Sequence, residues 1–281
     1  MMLNIRRQSG FTLVELAIVL VIVGLLIGGI LKGQKLLLNS KVTATVAQIK
    51  GIEAAVTNFR DVYGALPGDL KNSTIKIPGC SGEAYCATNG DGSIGESDWN
   101  MEDYQYDGAT NCNTAGDACT GDNEPLLFWY SLQQAGLIAG VTDEIITPTG
   151  ANPVATGINN AFGKTIPAAK VGGGFWAGNS SNGYFGTAVG DPTSKYTLFG
   201  SVITLVKSPY AALTNTAMSN VSTPAVIANI DRKLDDGMPK TGSVQAYGFP
   251  TSCYGGVLAT SNSYAESVTN LDCGVHIRIQ K

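Results

Sequence analysis

The chain has 281 residues, of which 44% are hydrophobic and 14% are charged, and its formal net charge at pH 7 is −4. This length suits one substantial domain with an appendage, and the 35 glycines favour a loop-rich body that contains β-structure. The negative charge argues against nucleic acid as the main partner, because phosphate binding requires clustered Lys and Arg side chains.

The sequence offers little for catalysis. It contains no nucleophile elbow, zinc-protease helix, phosphate-binding loop or dinucleotide fingerprint. The single histidine, His276, is assigned to the surface or to packing within a terminal strand. We therefore predict a protein that is not an enzyme.

The N-terminal 31 residues combine a short basic segment, residues 1–10, with an apolar segment, residues 11–31. Only Thr12 and Glu15 interrupt the second segment, which as a helix would span about 31 Å, the thickness of a bilayer's hydrocarbon core. A standard secretory signal has a shorter apolar region that ends at a small-x-small cleavage site. An ordinary membrane anchor would leave Glu15 unexplained, because a carboxylate within a membrane span normally marks function.

A specific pattern lies across the junction of these two segments. It reads Arg6-Arg7-Gln8-Ser9-Gly10-Phe11-Thr12-Leu13-Val14-Glu15, which is a basic leader, Gly, Phe, and then Glu four residues after the Phe. The pattern resembles the leader and cleavage site shared by type IV pilins and type II secretion pseudopilins. The resemblance implies that an inner-membrane prepilin peptidase removes residues 1–10 by cutting after Gly10, and then methylates the new amine of Phe11.

The resemblance also implies a role for Glu15 in assembly. Its carboxylate is expected to pair with the Phe11 amine of a neighbouring subunit, which would set the axial stagger of a filament. A pair within one chain is an alternative, because Phe11 and Glu15 lie four residues apart on one helical face. In both cases a charge held in lipid or in a filament core requires a partner of opposite sign.

Beyond the membrane segment, apolar residues recur at steps of three and four from Val42 to Tyr63. This spacing predicts an amphipathic helix that continues the first, so that one helix covers residues 11–63, with a transmembrane part at about 11–31. Glycine and proline just after Tyr63 supply its end. Four glycines are spaced for close approach of another helix: Gly24, Gly28, Gly29 and Gly33.

The remaining residues, 64–281, are predicted to form a periplasmic or extracellular globular head. Turn residues and periodicity predict two helices and two strands, at residues 126–134, 224–236, 196–206 and 275–279. The adjacent aromatics at 128–130 are expected in the core, and the stretch 151–190 should hold loops and short strands. This order is similar to the pilin architecture, an α+β fold in which a long N-terminal helix packs on an antiparallel sheet head with disulfide-tied loops.

The six cysteines all follow the long helix: Cys80, Cys86, Cys112, Cys119, Cys253 and Cys273. An even number in a chain with an export-type N-terminus indicates disulfides formed in an oxidising compartment. Proximity in sequence favours Cys80 with Cys86, Cys112 with Cys119, and Cys253 with Cys273. Zinc is the competing interpretation, although no Cys-x-x-Cys spacing occurs. Oxidised cysteines place the head outside the cytoplasm, whereas the flanking Arg and Lys residues are balanced and do not decide the orientation.

Residues 77–163 hold more than half of the 22 acidic side chains and no Lys or Arg. Within this stretch, Asn89-Gly90-Asp91-Gly92-Ser93-Ile94 is similar to a calcium loop, with oxygen-bearing side chains on alternate residues and Gly at a sharp turn. The match is degenerate, because Ala87 occupies the first ligand position. Major pseudopilins as a group bind calcium in the head, so the resemblance supports this hypothesis.

The calcium hypothesis places one Ca²⁺ on some of five residues: Asn89, Asp91, Ser93, Glu96 and Asp98. The alternative is a solvated acidic loop that disulfides tie down. A second acidic group, Asp231, Asp235 and Asp236, is interleaved with Arg232 and Lys233 and is therefore expected to be a solvated surface. No other cofactor is predicted.

The resemblance implies a structural subunit of a type IV pilus-like filament or a type II secretion pseudopilus. Its partners would be other pilin-like subunits, in a homo- or heteropolymer, together with prepilin peptidase, an inner-membrane platform protein and an assembly ATPase. The expected location is the bacterial inner membrane, as a single-pass protein, and then a periplasmic or extracellular filament. A membrane-anchored extracellular binding or adhesin domain is the alternative. Secretion, adhesion, motility and DNA uptake all remain open as uses of such a filament.

Overall fold

The computed structural model describes residues 12–71, 77, 90, 92–94, 124–142, 162–180, 198, 200–207, 221–248, 250–255 and 263–279. These residues fall into two units, one that ends at Lys41 and a compact one that begins at Val42. The helices and strands of the described part, in chain order, are α1 (Leu13–Tyr63), α2 (Glu124–Gln134), β1 (Gly174–Ser180), β2 (Gly200–Val206), α3 (Pro224–Leu234), β3 (Val244–Gly248), α4 (Pro250–Cys253) and β4 (Cys273–Arg278).

Helix α1 is a run of 51 residues without a proline. Its large apolar side chains from Leu13 to Leu38 are exposed. From Val42 onward, residues at steps of three and four are buried instead: Val42, Val46, Ile49, Ile52, Val56 and Phe59. The prediction of one long helix is confirmed from Leu13 onward, and Phe11 lies outside the described residues. The compact unit includes the helix from Val42 because these side chains belong to its core.

Helix α1 ends at a glycine in the left-handed backbone region. Gly64 has φ 71°, and its N–H donates to the carbonyl of Arg60 at 2.8 Å. This conformation suits glycine because no Cβ is present to clash, and it stops the helix from propagating. The predicted stop signal at this position is confirmed.

The four strands form one antiparallel sheet in the order β1–β2–β4–β3. The two central strands, β2 and β4, are the two that the sequence predicted, with ends shifted by a few residues. The two outer strands, β1 and β3, were not predicted individually, although β1 falls within the stretch 151–190. With the long helix and a disulfide, this sheet confirms the predicted pilin-like α+β class.

The two faces of the sheet differ in chemistry. One face is apolar, and buried side chains of β2 and β4 such as Leu205 and Ile277 lie on it. The other face carries three adjacent polar residues, Thr204, His276 and Gln245, which lie opposite one another across β2, β4 and β3 and are all buried. The sheet therefore has both faces covered in its centre, a burial pattern unlike that of a sheet with one solvated face.

The helices α2 and α3 confirm their predictions within two residues at each end. On α2, Phe128 and Trp129 are fully buried and their rings meet edge to face with centroids 4.8 Å apart, so the predicted core role of the aromatics is confirmed. Helix α3 begins at Pro224, where a missing N–H is harmless because the first helical N–H has no partner within the helix.

Two polar side chains of α1 hold a loop that leads into β1. The amide of Gln48 donates to the carbonyl of Ala168 at 3.0 Å and accepts from the N–H of Lys170 at 3.1 Å. One turn earlier, the Thr45 hydroxyl accepts from the N–H of Val171 at 3.2 Å. These bonds pair backbone groups that the sheet does not pair, so the loop is fixed on the helix within the compact unit.

Candidate functional site

The start of helix α1 is organised by Thr12 and Glu15. The backbone N–H and the hydroxyl of Thr12 both donate to Oε2 of Glu15, at 2.8 and 2.9 Å. In return, the N–H of Glu15 donates to the Thr12 hydroxyl at 3.3 Å. This reciprocal arrangement is a capping box, in which two side chains satisfy N–H groups that have no partner within the helix.

The capping box fixes where the helix begins. The carbonyl of Thr12 accepts the first intrahelical hydrogen bond, from the N–H of Leu16 at 3.2 Å, while Thr12 itself is not helical. A carboxylate in the first turn also interacts favourably with the positive end of the helix dipole. Both effects stabilise the negative charge of Glu15 at this end of an apolar helix.

The capping box uses only one of the two oxygens of the Glu15 carboxylate. Both of its hydrogen bonds from Thr12 reach Oε2, and Oε1 accepts none from the described residues. Between Glu15 and Lys32 the helix carries no charged residue, and its side chains are exposed. The carboxylate is therefore the single charge at the beginning of an exposed apolar surface, with one oxygen free to accept from another group.

The intrachain partner of Glu15 that the structure shows is Thr12. The predicted pairing of Glu15 with the amine of Phe11, within or between chains, concerns a residue outside the described part, as does cleavage after Gly10. The sequence did contain a signal for the box, since Thr12-Leu13-Val14-Glu15 fits the pattern Ser/Thr-x-x-Glu before an apolar run.

Helix α1 is long and apolar enough to cross a membrane, and among the described residues it is the one helix with that property. A family model described as the prokaryotic N-terminal methylation motif matches the start of the chain. The match covers residues 5–31. This is the prepilin-type cleavage and methylation segment of type IV pilins and pseudopilins, so the predicted resemblance of the N-terminus is confirmed. Comparisons with curated proteins and with solved structures give no match.

The methylation motif covers the residues to which the sequence assigned processing and assembly: Gly10, Phe11 and Glu15. It ends at Leu31, the last residue of the apolar segment, and leaves the compact unit unmatched. The similarity to known proteins is thus confined to the N-terminal segment of the chain.

The predicted calcium loop is described only in part. Ser93 lies within the described residues, whereas Asn89, Asp91, Glu96 and Asp98 lie outside them. Gly90 and Gly92 have φ of 68° and 90°, a backbone region that favours glycine. The structure adds a residue that the sequence reasoning missed: Oδ2 of Asp69, a side chain that is 2% exposed, accepts from the N–H of Gly92 at 2.8 Å.

The turn that contains Gly68 and the loop that contains Gly92 therefore meet just after the end of α1. Asp69 closes the turn that begins at Leu66, where its N–H donates to the Leu66 carbonyl at 3.1 Å. Gly68 in that turn packs so closely on α2 that a Cβ would lie 2.9 Å from the N atom of Phe128. A cavity of about 510 Å³ lies beside the two segments, and its lining includes Arg60, Lys71 and Gly92. The loop is thus anchored to the compact unit through a buried carboxylate.

The second acidic group differs from its prediction. Asp231 is fully buried, and its oxygens accept from the hydroxyl of Tyr264 at 2.7 Å and from the N–H of Gly237 at 3.1 Å. The expectation of a solvated surface is wrong for this residue. Burial raises the pKa of Asp231 to about 6, while the bonds from Tyr264 and Gly237 act in the opposite direction.

Asp235 and Asp236 bring carboxylate oxygens within 4.8 Å of Asp231. Both already accept hydrogen bonds from the following turn: Asp235 from Ser243 and Val244, and Asp236 from Met238 and Thr241. The cluster therefore organises the turn between α3 and β3. The interleaved Arg232 forms an exposed ion pair with Glu266 rather than with this cluster.

The predicted disulfide between Cys253 and Cys273 is present, with Cα atoms 5.1 Å apart, which excludes zinc for these two cysteines. It closes a segment that is held on α3 by the Tyr264–Asp231 hydrogen bond and the Glu266–Arg232 ion pair. Cys80, Cys86, Cys112 and Cys119 lie outside the described residues, so the other two pairings remain predictions.

His276 packs within the sheet, which is one of the two locations, surface or packing, that the sequence predicted. It is fully buried, its Nδ1 lies 2.8 Å from the Thr204 hydroxyl, and its ring lies 4.6 Å from that of Tyr247. Burial lowers the pKa of His276 to about 3. A histidine that stays neutral in this setting contributes packing and hydrogen bonding.

Proposed function

We propose that the protein is a structural subunit of a type IV pilus-like filament or a type II secretion pseudopilus. One observation carries this proposal: the methylation motif coincides with an exposed apolar helix whose only charge before Lys32, Glu15, is fixed at the helix start. A prepilin peptidase cuts after Gly10 and methylates Phe11, and the mature chain assembles through its N-terminal helix.

In this proposal the exposed apolar surface of α1 has two successive environments. Lipid covers it while the subunit is held in the inner membrane as a single-pass protein, with the leader in the cytoplasm and the head in the periplasm. Helices of other subunits cover it once a cytoplasmic ATPase and a platform protein have driven assembly into a periplasmic or extracellular filament. The disulfide between Cys253 and Cys273 supports the periplasmic side for the head, because disulfides persist in oxidising compartments.

On assembly, the free oxygen of Glu15 accepts a hydrogen bond from a cation of the neighbouring subunit. Cleavage creates an amine at Phe11 with an intrinsic pKa of about 7.7–8.0, which methylation keeps cationic. Oε2 stays with Thr12, and Oε1 accepts from the incoming amine. A charge-assisted hydrogen bond in a medium of low dielectric constant is strong and directional, so it fixes the axial position of each subunit.

The decisive experiment combines the mature N-terminus with polymer yield. Mass spectrometry of the native protein should find a chain that begins with N-methylated Phe11. Glu15→Gln keeps the size and hydrogen-bonding capacity of the side chain but removes its charge, and it should reduce the sheared filament fraction at least tenfold. Thr12→Ser is the matched control. A native chain that still begins with Met1, or normal polymer from Glu15→Gln, contradicts the proposal.

A membrane-anchored binding or adhesin domain is the second candidate. The observation in its favour is the disulfide-closed segment, which reaches the surface at Glu266 and is held on α3 by an ion pair and a hydrogen bond. Such a protein would stay in the inner-membrane fraction after shearing, whereas a filament subunit would be released and pelleted. Fractionation of cells that express the chain with its assembly machinery separates the two.

We also propose that the loop around Ser93 binds one Ca²⁺, with ligands among Asn89, Asp91, Ser93, Glu96 and Asp98. The hydrogen bond between Asp69 and Gly92 supports this, because it fixes one side of the loop before an ion arrives. Calorimetric titration of the full-length protein in detergent tests it. Heat of binding and a higher melting temperature are expected, and the absence of both would end the idea.

A further inference from the structure

Helix α1 begins two residues after the peptide bond that the proposed processing must break. That bond joins Gly10 to Phe11, the capping residue is Thr12, and the first helical residue is Leu13. A capping residue has non-helical backbone angles, so a cap at Thr12 is a boundary that the helix does not pass on its N-terminal side. The distance between the boundary and the bond is one residue, Phe11.

The boundary depends on side-chain chemistry. Three hydrogen bonds between Thr12 and Glu15 stabilise it, and all three involve either the Thr12 hydroxyl or the Glu15 carboxylate. Removing a capping side chain changes the equilibrium between this helix start and other helix starts by about fivefold, which corresponds to the loss of stability when a typical cap is removed. The apolar Phe11 next to the boundary would not by itself prevent a longer helix, because it can adopt helical angles.

A longer helix would obstruct hydrolysis of the Gly10–Phe11 bond. In a helix that began earlier, the Gly10 carbonyl would accept a hydrogen bond from the N–H of Val14, four residues on. Hydrolysis needs that carbonyl: water adds its oxygen to the Gly10 carbonyl carbon, the C–N bond to Phe11 breaks, and the proton goes to the nitrogen. The products are the Gly10 carboxylate on the leader and the Phe11 amine on the mature chain.

We propose that Thr12 is a positioning residue for prepilin peptidase, because its capping box with Glu15 sets the start of helix α1 at Leu13, on the C-terminal side of the bond that is cut. The inference rests on the proposed function, since it assumes cleavage after Gly10. It gives Glu15 two separable properties. Its oxygens as acceptors serve cleavage through the cap, and its charge serves assembly.

The test measures cleavage of the full-length precursor, in detergent, by purified prepilin peptidase, with loss of residues 1–10 followed by mass. Thr12→Ser keeps the hydroxyl, and Thr12→Gly is nearly as good a cap, so both should be cleaved within about twofold of the native rate. Thr12→Val keeps the shape but loses the hydroxyl, and its kcat/KM should fall about fivefold. Glu15→Gln still accepts from Thr12, so its cleavage should fall by less than that of Thr12→Val, although it does not assemble.

Thr12→Gly separates this inference from direct recognition by the enzyme. If Thr12→Gly is as slow as Thr12→Val, the peptidase reads the hydroxyl itself and the inference is wrong. Native-rate cleavage of Thr12→Val also overturns it. Failure of the proposed function looks different, because then the native precursor is not cut after Gly10 at all. Each variant should remain with the membranes when they are washed at high pH, which confirms equal insertion. A slow variant then reports on cleavage and not on insertion.

Discussion

The hydroxyl of Tyr264 donates a 2.7 Å hydrogen bond to Oδ2 of Asp231, and this bond connects the disulfide-closed segment to helix α3. Asp231 is fully buried and Tyr264 is 7% exposed, so water cannot replace the bond if it is removed. A buried carboxylate therefore helps to hold the disulfide-closed segment on α3.

Replacing Tyr264 with Phe should destabilise the compact unit by about 1–3 kcal/mol, the usual effect of leaving a buried acceptor without its donor. The bond from Tyr264 lowers the pKa of Asp231, so its loss should raise that pKa further. The destabilisation should consequently be larger at pH 7, where Asp231 is ionised, than at pH 5. Urea denaturation at the two pH values measures it, and Asp231→Asn with and without Tyr264→Phe completes a double-mutant cycle. Equal losses at both pH values would contradict the assignment.

Two buried groups should give opposite slopes of stability against pH. His276 has a folded pKa of about 3 against an ordinary value of 6.5, so the unfolded chain binds more protons between these values and stability rises with pH. Asp231 has a folded pKa of about 6 against 3.8, so the folded chain keeps its proton there and stability falls with pH. Each slope is about 1.4 kcal/mol per pH unit. The two slopes should largely cancel between pH 4 and 6.

Variants separate these two slopes. In Asp231→Asn the histidine slope of this pair remains, so stability should rise more steeply from pH 4 to 6 than in the native protein. In His276→Gln the Asp231 slope of this pair remains, and stability should fall over the same interval relative to the native protein. Denaturation of the full-length protein in detergent, followed by Trp fluorescence, gives the slopes independently of any uniform loss that each substitution causes. Parallel curves for the two variants would refute the interpretation.

Removal of the disulfide should destabilise the compact unit by about 3 kcal/mol, because its cysteines are 20 residues apart and the cross-link restricts the unfolded chain. The suitable variant is Cys253→Ala with Cys273→Ala, since alanine leaves no unpaired hydroxyl in a fully buried site. The denaturation midpoint should fall and the segment between the two positions should become sensitive to protease. An unchanged midpoint would show that the hydrogen bond from Tyr264 and the exposed ion pair hold the segment by themselves.

Gly68 and Gly64 form a matched pair for the turn after α1. Both have positive φ, 83° and 71°, but a Cβ on Gly68 would overlap the carbonyl oxygen of Glu124, whereas a Cβ on Gly64 would meet nothing within 4 Å. Gly64→Ala should therefore cost only backbone strain, about 1 kcal/mol. Gly68→Ala should cost at least twice as much, because α2 must also shift. Equal midpoints in urea would count against the close packing of this turn on α2.

The sequence predicted best where one physical pattern dominated. Spacing of apolar residues located α1, the glycine after Tyr63 located its end, and Pro224 located the start of α3. Strand β3 was missed because Val244–Gly248 is short and includes Gln245 and Ala246, which are not strong strand formers. Its position is decided by pairing with β4, a contact between residues about 30 apart in sequence.

In the candidate site, too, some features were predicted from the sequence and others were missed. The pattern of residues 6–15 predicted the motif at the N-terminus, but not the bonds of Thr12, although its spacing to Glu15 was visible. Asp231 was interpreted as solvated because Arg232 and Lys233 follow it. Helical spacing from the buried Ile227, four residues earlier, places Asp231 on the inward face instead. Charged neighbours describe the composition of a segment, whereas spacing decides which side chain is buried.

The paired bonds of Gln48 have a mechanical consequence for the proposed role as a filament subunit, in which the chain would be pulled along α1. Pulling along α1 loads the joint to Ala168 and Lys170, and from there the chain runs directly into the edge strand β1. One amide makes both bonds, so the Gln48 side chain contacts the loop at two backbone positions. Force would thus be shared between the helix and the rim of the sheet before the hydrophobic packing between them has to slip.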